Sequence, residues 1–158
     1  MSIQIRLAVP ADIPQLCRLR LAYFDEEFGT LPEDKIAAIK THLPVYFSQH
    51  LGSGCIAVVA EAEDGQLVSN ALLTVIEKPA NPFFPCGRSG YVLGVFTEPA
   101  YRGQGLATQI MTQILAEAKR LALDTVTLSA SDMGKGIYEK LGFTVIHSKF
   151  TEMEWFPE

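Results

Sequence analysis

Cysteine is scarce and never paired in sequence. Cys17, Cys55 and Cys86 are odd in number and far apart, with no CxxC, so neither a disulfide framework nor a zinc site is encoded. Basic residues are too few and scattered to form a block: 13 Lys and Arg stand against 18 Asp and Glu, a formal net charge of −5. This balance argues against general nucleic-acid binding and against docking on anionic membranes. No apolar run approaches the length of a membrane span, and the first residues (Met1-Ser2-Ile3-Gln4-Ile5-Arg6) lack an apolar signal core, so a cytoplasmic protein is expected. Internal repeats and low-complexity tracts are missing, and the Pro/Gly clusters punctuate short loops without marking a linker. Hydrophobic residues are 48% and charged residues 20% of the 158, which leaves one globular domain over 1–158 with a sizeable core.

The hydrophobic periods read as an ordered series of elements. Ile3, Ile5 and Leu7 alternate with polar residues, as in a half-buried strand. Asp12 and Gln15 form a capping-box-like start for a helix carrying Leu16, Leu19 and Tyr23, ending near Gly29. A second helix starts at Pro32-Glu33-Asp34, buries Ile36, Ile39 and Leu43, and is kinked or ended by Pro44. Cys55–Ala60 and Leu67–Ile76 flank the turn Glu63-Asp64-Gly65-Gln66 as a hairpin. A loop with Pro79, Pro82 and Pro85 leads to a strand over Tyr91–Phe96. An amphipathic helix follows, with Leu106, Ala107, Ile110, Met111, Ile114, Leu115 and Ala118 on one stripe. Val126 and Leu128 mark a further strand, Lys135–Leu141 a short helix stopped by Gly142, and Phe143–Ile146 and Phe150–Trp155 two final strands. The order β-α-α-β-β-β-α-β-α-β-β predicts an α/β fold. Its mixed, mostly antiparallel sheet of six or seven strands is flanked by about four helices.

The chemistry concentrates between the strand Tyr91–Phe96 and the long helix, in Thr97-Glu98-Pro99-Ala100-Tyr101-Arg102-Gly103-Gln104-Gly105-Leu106-Ala107-Thr108. Glycines at the mouth of a helix allow a sharp turn and close backbone approach to a ligand. The first-turn N–H groups have no partner inside the helix, and the helix dipole adds positive charge, so the turn is an anion cradle beside Arg102. A P-loop is excluded because no Gly-Lys-Ser/Thr follows. A Rossmann fingerprint fails because its last position is Thr108, the loop is too long, and Asp124 precedes its strand where a ribose-binding acid must end one.

What remains, Arg-x-x-Gly-x-Ala after a strand and opening an amphipathic helix, resembles the coenzyme A pyrophosphate loop of the GCN5-related N-acetyltransferases, the GNAT superfamily. Tyr91–Pro99 resembles that family's fourth strand and its exit. Gly136-Ile137-Tyr138-Glu139-Lys140-Leu141-Gly142-Phe143 is similar to its second signature. The resemblance implies an acetyl-CoA-dependent N-acetyltransferase that moves the acetyl group directly to a primary amine, with no metal. A binding module for acyl-CoA without turnover is the alternative on the same fold. It also implies that the amides of Gly103, Gln104, Gly105, Leu106, Ala107 and Thr108 hold the pyrophosphate. Val95, Phe96 and Thr97 would run beside the pantetheine arm where the fourth and fifth strands splay near Thr97 and Ser129.

Arg102 matches the leading motif position and either touches phosphate or braces the turn. Tyr138 is the expected catalytic residue, a phenol that protonates the leaving thiolate; the bland reading is a core aromatic. Ser131 stands where relatives carry a cofactor-bonding asparagine. No general base is assigned. The fourth strand has no carboxylate, and Glu98 lies past its end. Asp25, Glu26, Glu27 and Glu77 read as solvated surface acids more often than as bases, and a water chain without a dedicated base is an equal expectation. His42, His50 and His147 lack metal-ligand spacing. Cys86 has no His or Asp/Asn nearby in sequence with which to form an acyl-enzyme. The acceptor, small and amine-bearing, is expected to enter past the first two helices and the Pro79–Pro85 loop, where Asp25, Glu26 and Glu27 could draw in a cation and Phe83 and Phe84 could form a lip. A homodimer is left open.

Overall fold

The computed structural model describes residues 2–157. Nine elements follow one another: β1 (Gln4–Leu7), α1 (Ile13–Phe28), α2 (Glu33–His50), β2 (Cys55–Glu61), β3 (Leu67–Glu77), β4 (Arg88–Thr97), α3 (Leu106–Arg120), β5 (Val126–Leu128) and α4 (Asp132–Lys140). Single 3-10 turns precede α1 and α3. The strands form one sheet in chain order, antiparallel from β1 to β4 and parallel between β4 and β5. The α/β class and the order of elements through α4 agree with the sequence reading.

Helices cover both faces of the sheet. Ile56, Val58 and Ala60 of β2 pack with Ile110, Met111 and Ile114 of α3. Their alternates Cys55, Ala57 and Val59 pack with Leu16 and Leu19 of α1 and Leu43 and Phe47 of α2. Burial on two sides explains why β2 is apolar at nearly every position instead of alternating.

The structure corrects four local readings. The capping box at Asp12 does not form. The Asp12 carboxylate accepts from Arg6 at 2.7 and 2.9 Å and from the Val9 amide at 2.7 Å. Gln15 instead reaches across to β3, accepting from Leu67 N–H at 2.7 Å and donating to the Gly65 carbonyl at 3.1 Å. Both side chains found longer-range partners that a local motif cannot reveal. Second, Pro44 does not end its helix, which continues to His50. Third, α4 begins at Asp132, three residues before the expected start, because the Ser131 hydroxyl caps it by accepting from Gly134 N–H at 3.1 Å.

The fourth correction is the sheet itself, which among the described residues has five strands and not six or seven. Phe143–Ile146 and Phe150–Trp155 are not strands; they run in irregular conformation with Val145, Ile146, Phe150 and Trp155 exposed. Alternation creates a strand's two faces, but a strand also needs an edge to pair with. Here that edge would be β5, only three residues long.

Candidate active site

Two features of β4 shape a cleft. Asn70 pairs with Phe96 and Leu72 with Leu93, so two steps along β3 span three along β4. The extra residue is a bulge, and Gly94 occupies it with φ +66°, a conformation that favours glycine. On the other edge, β4 pairs with β5 only over Gly90–Val92. Beyond that the strands part, so Leu93 to Thr97 line an open V. Tyr91 and Ser129 close its lower end with a hydroxyl–hydroxyl bond of 2.9 Å.

The V opens into a cleft of about 750 Å³ that continues to the turn before α3. Gly103 and Gly105 take φ +81° and +77°, which directs the backbone of this turn toward the cleft. Among the described residues, none of the N–H groups from Gly103 to Thr108 finds a protein acceptor; the first helical bond runs from Gln109 N–H to the Gly105 carbonyl at 3.1 Å. Six successive donors at a helix mouth, with no Cβ on two of them, suit the oxygens of a pyrophosphate. Of the residues expected to hold the cofactor, all except Gln104 line this cleft: Val95, Phe96, Thr97, Arg102, Gly103, Gly105, Leu106, Ala107, Thr108 and Ser131.

Arg102 braces the turn. Its Nε donates to the Thr97 carbonyl at 2.8 Å and its Nη2 to Glu26 at 2.8 Å, with the guanidinium 5.6 Å from the Phe96 ring centroid. The ion pair draws the Glu26 carboxyl below the usual carboxylate range. Ser131 lines the wall, but its hydroxyl is engaged in capping α4.

Tyr138, on α4, lines the same cleft. Its ring packs edge-on against Phe143 at 5.9 Å between centroids, and its hydroxyl has no hydrogen-bond partner among the described residues. Desolvation, then the neighbouring Tyr23, raises its pKa. A phenol with a raised pKa and no hydrogen-bond partner, on a residue that lines a cleft, is chemically able to donate a proton.

The acids separate into groups. Glu26 and Glu27 border the cleft. Glu98 is bound by Arg18, and Glu77 lies 3.8 Å from Arg88; neither lines the cleft, nor does Asp25. Phe83 and Phe84 do not reach it either, because the Asn81 side chain folds their loop on itself by accepting both their N–H groups, at 2.9 and 3.0 Å. All three thiols are pushed up: Cys17 and Cys55 by burial, the latter to about 11, and Cys86 by Asp124 beside it. None is an activated nucleophile. Among the described residues no group of three His, Cys, Asp or Glu side chains could hold a metal, and no helix is long and apolar enough to cross a membrane. Sequence reasoning placed Tyr23 only on a core stripe and missed Tyr91 and Tyr101, cleft residues whose local sequence carries no signal of their role.

Residues 56–157 match the model of the acetyltransferase (GNAT) domain family. The chain belongs to the GNAT acetyltransferases. A solved structure of a predicted acetyltransferase from Clostridium acetobutylicum with acetyl-CoA is 28% identical; the match covers 97% of this chain and 96% of that one, with a TM-score of 0.83. A GCN5-related N-acetyltransferase from Ralstonia eutropha JMP134 shares the fold at 24% identity and a TM-score of 0.76, covering 96% and 99% of the two chains. An uncharacterized N-acetyltransferase, ycf52, from Gracilaria tenuistipitata var. liui is 32% identical over 63 residues, 40% of this chain; the match spans about a third (35%) of that curated relative's length. The GNAT domain match takes in β2 to α4, and therefore both the amide turn and Tyr138.

Proposed function

We propose that this protein transfers an acetyl group from acetyl-CoA directly to the primary amine of a small acceptor. The observation that carries the reading is the set of unpartnered amides from Gly103 to Thr108, which opens onto the same cleft as the Tyr138 phenol. The amides and the α3 dipole hold the pyrophosphate oxygens. The free backbone edge from Val95 to Thr97 aligns the pantetheine amides as an added strand would. Acetyl-CoA supplies an activated thioester. The chain's part is to fix its sulfur near Tyr138 and to exclude other nucleophiles from the V. Tyr138 Oη–H gives its proton to the sulfur as the C–S bond breaks, and the phenolate regains one from the nitrogen that has bonded to the acetyl carbon. The upward-shifted thiols support transfer without an acyl-cysteine. The ammonium's proton leaves to water through the mouth, since β4 carries no carboxylate between Arg88 and Thr97.

That missing base favours the second reading, an acyl-CoA-binding module without turnover. The acids at the mouth, Glu26 and Glu27, favour an amine over an anionic polymer such as nucleic acid. The cysteines are all free, which suits the reducing cytoplasm. Calorimetry with acetyl-CoA, followed by an amine screen measuring released CoA thiol, tests both readings. Binding with thiol release supports the transferase, binding without release supports the module, and no binding at millimolar ligand removes both.

A further inference from the structure

Five of the six arginines have a carboxylate partner: Arg6, Arg18, Arg88, Arg102 and Arg120. Arg20, on α1, has neither an ion-pair partner nor a hydrogen bond among the described residues. It is nonetheless half-buried, its guanidinium lying 4.7 Å from the Phe24 ring centroid. The only fully buried side-chain nitrogen or oxygen without a partner among those residues is Asn70 Oδ1, so the Arg20 nitrogens still reach open space.

Its position sets it against the bulge of β4. Nη1 stands 2.9 Å from where a Cβ on Gly94 would lie; Gly94 lines the cleft, and Arg20, which does not line it, lies next to that glycine. Tyr23, three residues along α1, lines the cleft together with Tyr138. The remaining polar neighbours supply no anion. Burial holds Tyr46 up to about 12 and Cys55 up to about 11, so both are neutral at pH 7. A partly desolvated guanidinium with no counter-charge is costly unless a ligand provides one.

Resting on the transferase reading, we propose that Arg20 binds the carboxylate of a zwitterionic acceptor, an amino acid or a compound with one carboxylate beside its reacting amine. The planar fork of guanidinium donors matches a carboxylate bidentately. A single carboxylate fits better than a phosphate dianion, because Glu26 and Glu27 at the mouth repel extra negative charge while attracting the ammonium end.

The test compares the common α-amino acids with their α-carboxamides as acceptors, in the unaltered protein and in Arg20→Gln and Arg20→Lys. Preference for the acid over its amide is expected. In Arg20→Gln the ratio of their kcat/KM values falls about tenfold or more, and Arg20→Lys restores part of it. A ratio favouring the amide, or one that Arg20→Gln leaves unchanged, overturns the proposal. A second readout needs no turnover: N-acetylated amino acids and their carboxamides are titrated into the same proteins with CoA present. Equal affinity for acid and amide in the unaltered protein overturns the proposal even if acetyl-CoA binds. Failure of acetyl-CoA to bind counts against the transferase reading instead.

Discussion

Arg102 and Glu26 join the two walls of the cleft. Nη2 of the arginine, from the turn before α3, meets Oε2 of the glutamate, from the end of α1, at 2.8 Å. Nε of the same guanidinium holds the carbonyl of Thr97 at the end of β4. One side chain therefore ties the amide turn to both the strand β4 and the end of helix α1.

Removing that clasp through Glu26→Gln is expected to raise the KM for acetyl-CoA and leave its reactivity little changed. Both partners are nearly half exposed, at 44% and 47%, so the pair is worth at most about 1 kcal/mol, a change of about fivefold or less that shrinks at high salt. Arg102 depresses the Glu26 pKa, so the pair is intact above the ordinary carboxylate range and is lost as pH falls through the depressed value. Acetyl-CoA titrations from neutral pH downward, at low and high salt, check this; a salt-independent effect would remove the ion pair from the explanation.

Tyr138→Phe keeps the ring against Phe143 and removes only the hydroxyl. The kcat at saturating acceptor is expected to fall by about 100-fold, with acetyl-CoA binding nearly unchanged. Because the phenol is raised, the alkaline limb it causes in the unaltered protein should lie above the ordinary tyrosine value of about 10. An unchanged rate and pH profile in the variant would take the proton-donor role from Tyr138.

Gly105 takes φ +77° with no heavy atom within 4 Å of an added Cβ. Gly105→Ala therefore meets only backbone strain, about 1–2 kcal/mol. Gly105→Asp adds a negative charge where we propose that the pyrophosphate is held. Calorimetry should find weakened acetyl-CoA binding in the first variant and none in the second. Equal affinities would mean that the ligand is held elsewhere.

How much of this was legible beforehand follows from the range over which each signal acts. The α3 stripe from Leu106 to Ala118 and the apolar run of β2 are fixed by burial within one element, and periodicity reports burial. The turn was legible as a turn because Arg102 to Thr108 follow a strand and open an amphipathic helix; two glycines at a helix start are by themselves most often structural. Arg20 was not, since the lack of a partner is a property of the assembled fold, invisible in Leu19-Arg20-Leu21. The Gly94 bulge was equally hidden, because register exists only between strands. Asp12 and Gln15 misled for the same reason: their spacing is local, but their partners Arg6 and Leu67 lie outside the motif.

Asp12 also bears on stability. Its carboxyl is buried and lies below the usual range, chiefly through the Arg6 bonds. A group with a depressed folded pKa contributes its stabilisation above the unfolded value, near 4, and loses it as pH falls through the folded value. Thermal midpoints should therefore drop more steeply below about pH 4 in the unaltered protein than in Asp12→Asn, which at pH 7 should cost about 1–3 kcal/mol. Parallel acid curves would show that the Arg6–Asp12 pair does not control acid unfolding.

The C-terminal arm offers the sharpest contrast between pattern and structure. From residue 144 to 157, the one hydrogen bond made by a backbone amide among the described residues is Phe150 N–H to Ser148 Oγ at 3.0 Å. Just before it, Phe143 N–H is held by the Tyr138 carbonyl at 3.0 Å. Amide exchange should therefore be fast throughout the arm and slowed at Phe143, while β2 and β3 exchange near the global unfolding limit. The exposed Val145, Ile146, Phe150, Met153, Trp155 and Phe156 make the measurement informative at two protein concentrations. Fast exchange at both would establish the arm as unpaired. Protection at both would mean that Phe143–Ile146 or Phe150–Trp155 pairs within the chain, extending the sheet beyond β5. Protection that grows with concentration would assign the pairing edge to a second copy, the homodimer that the sequence left open.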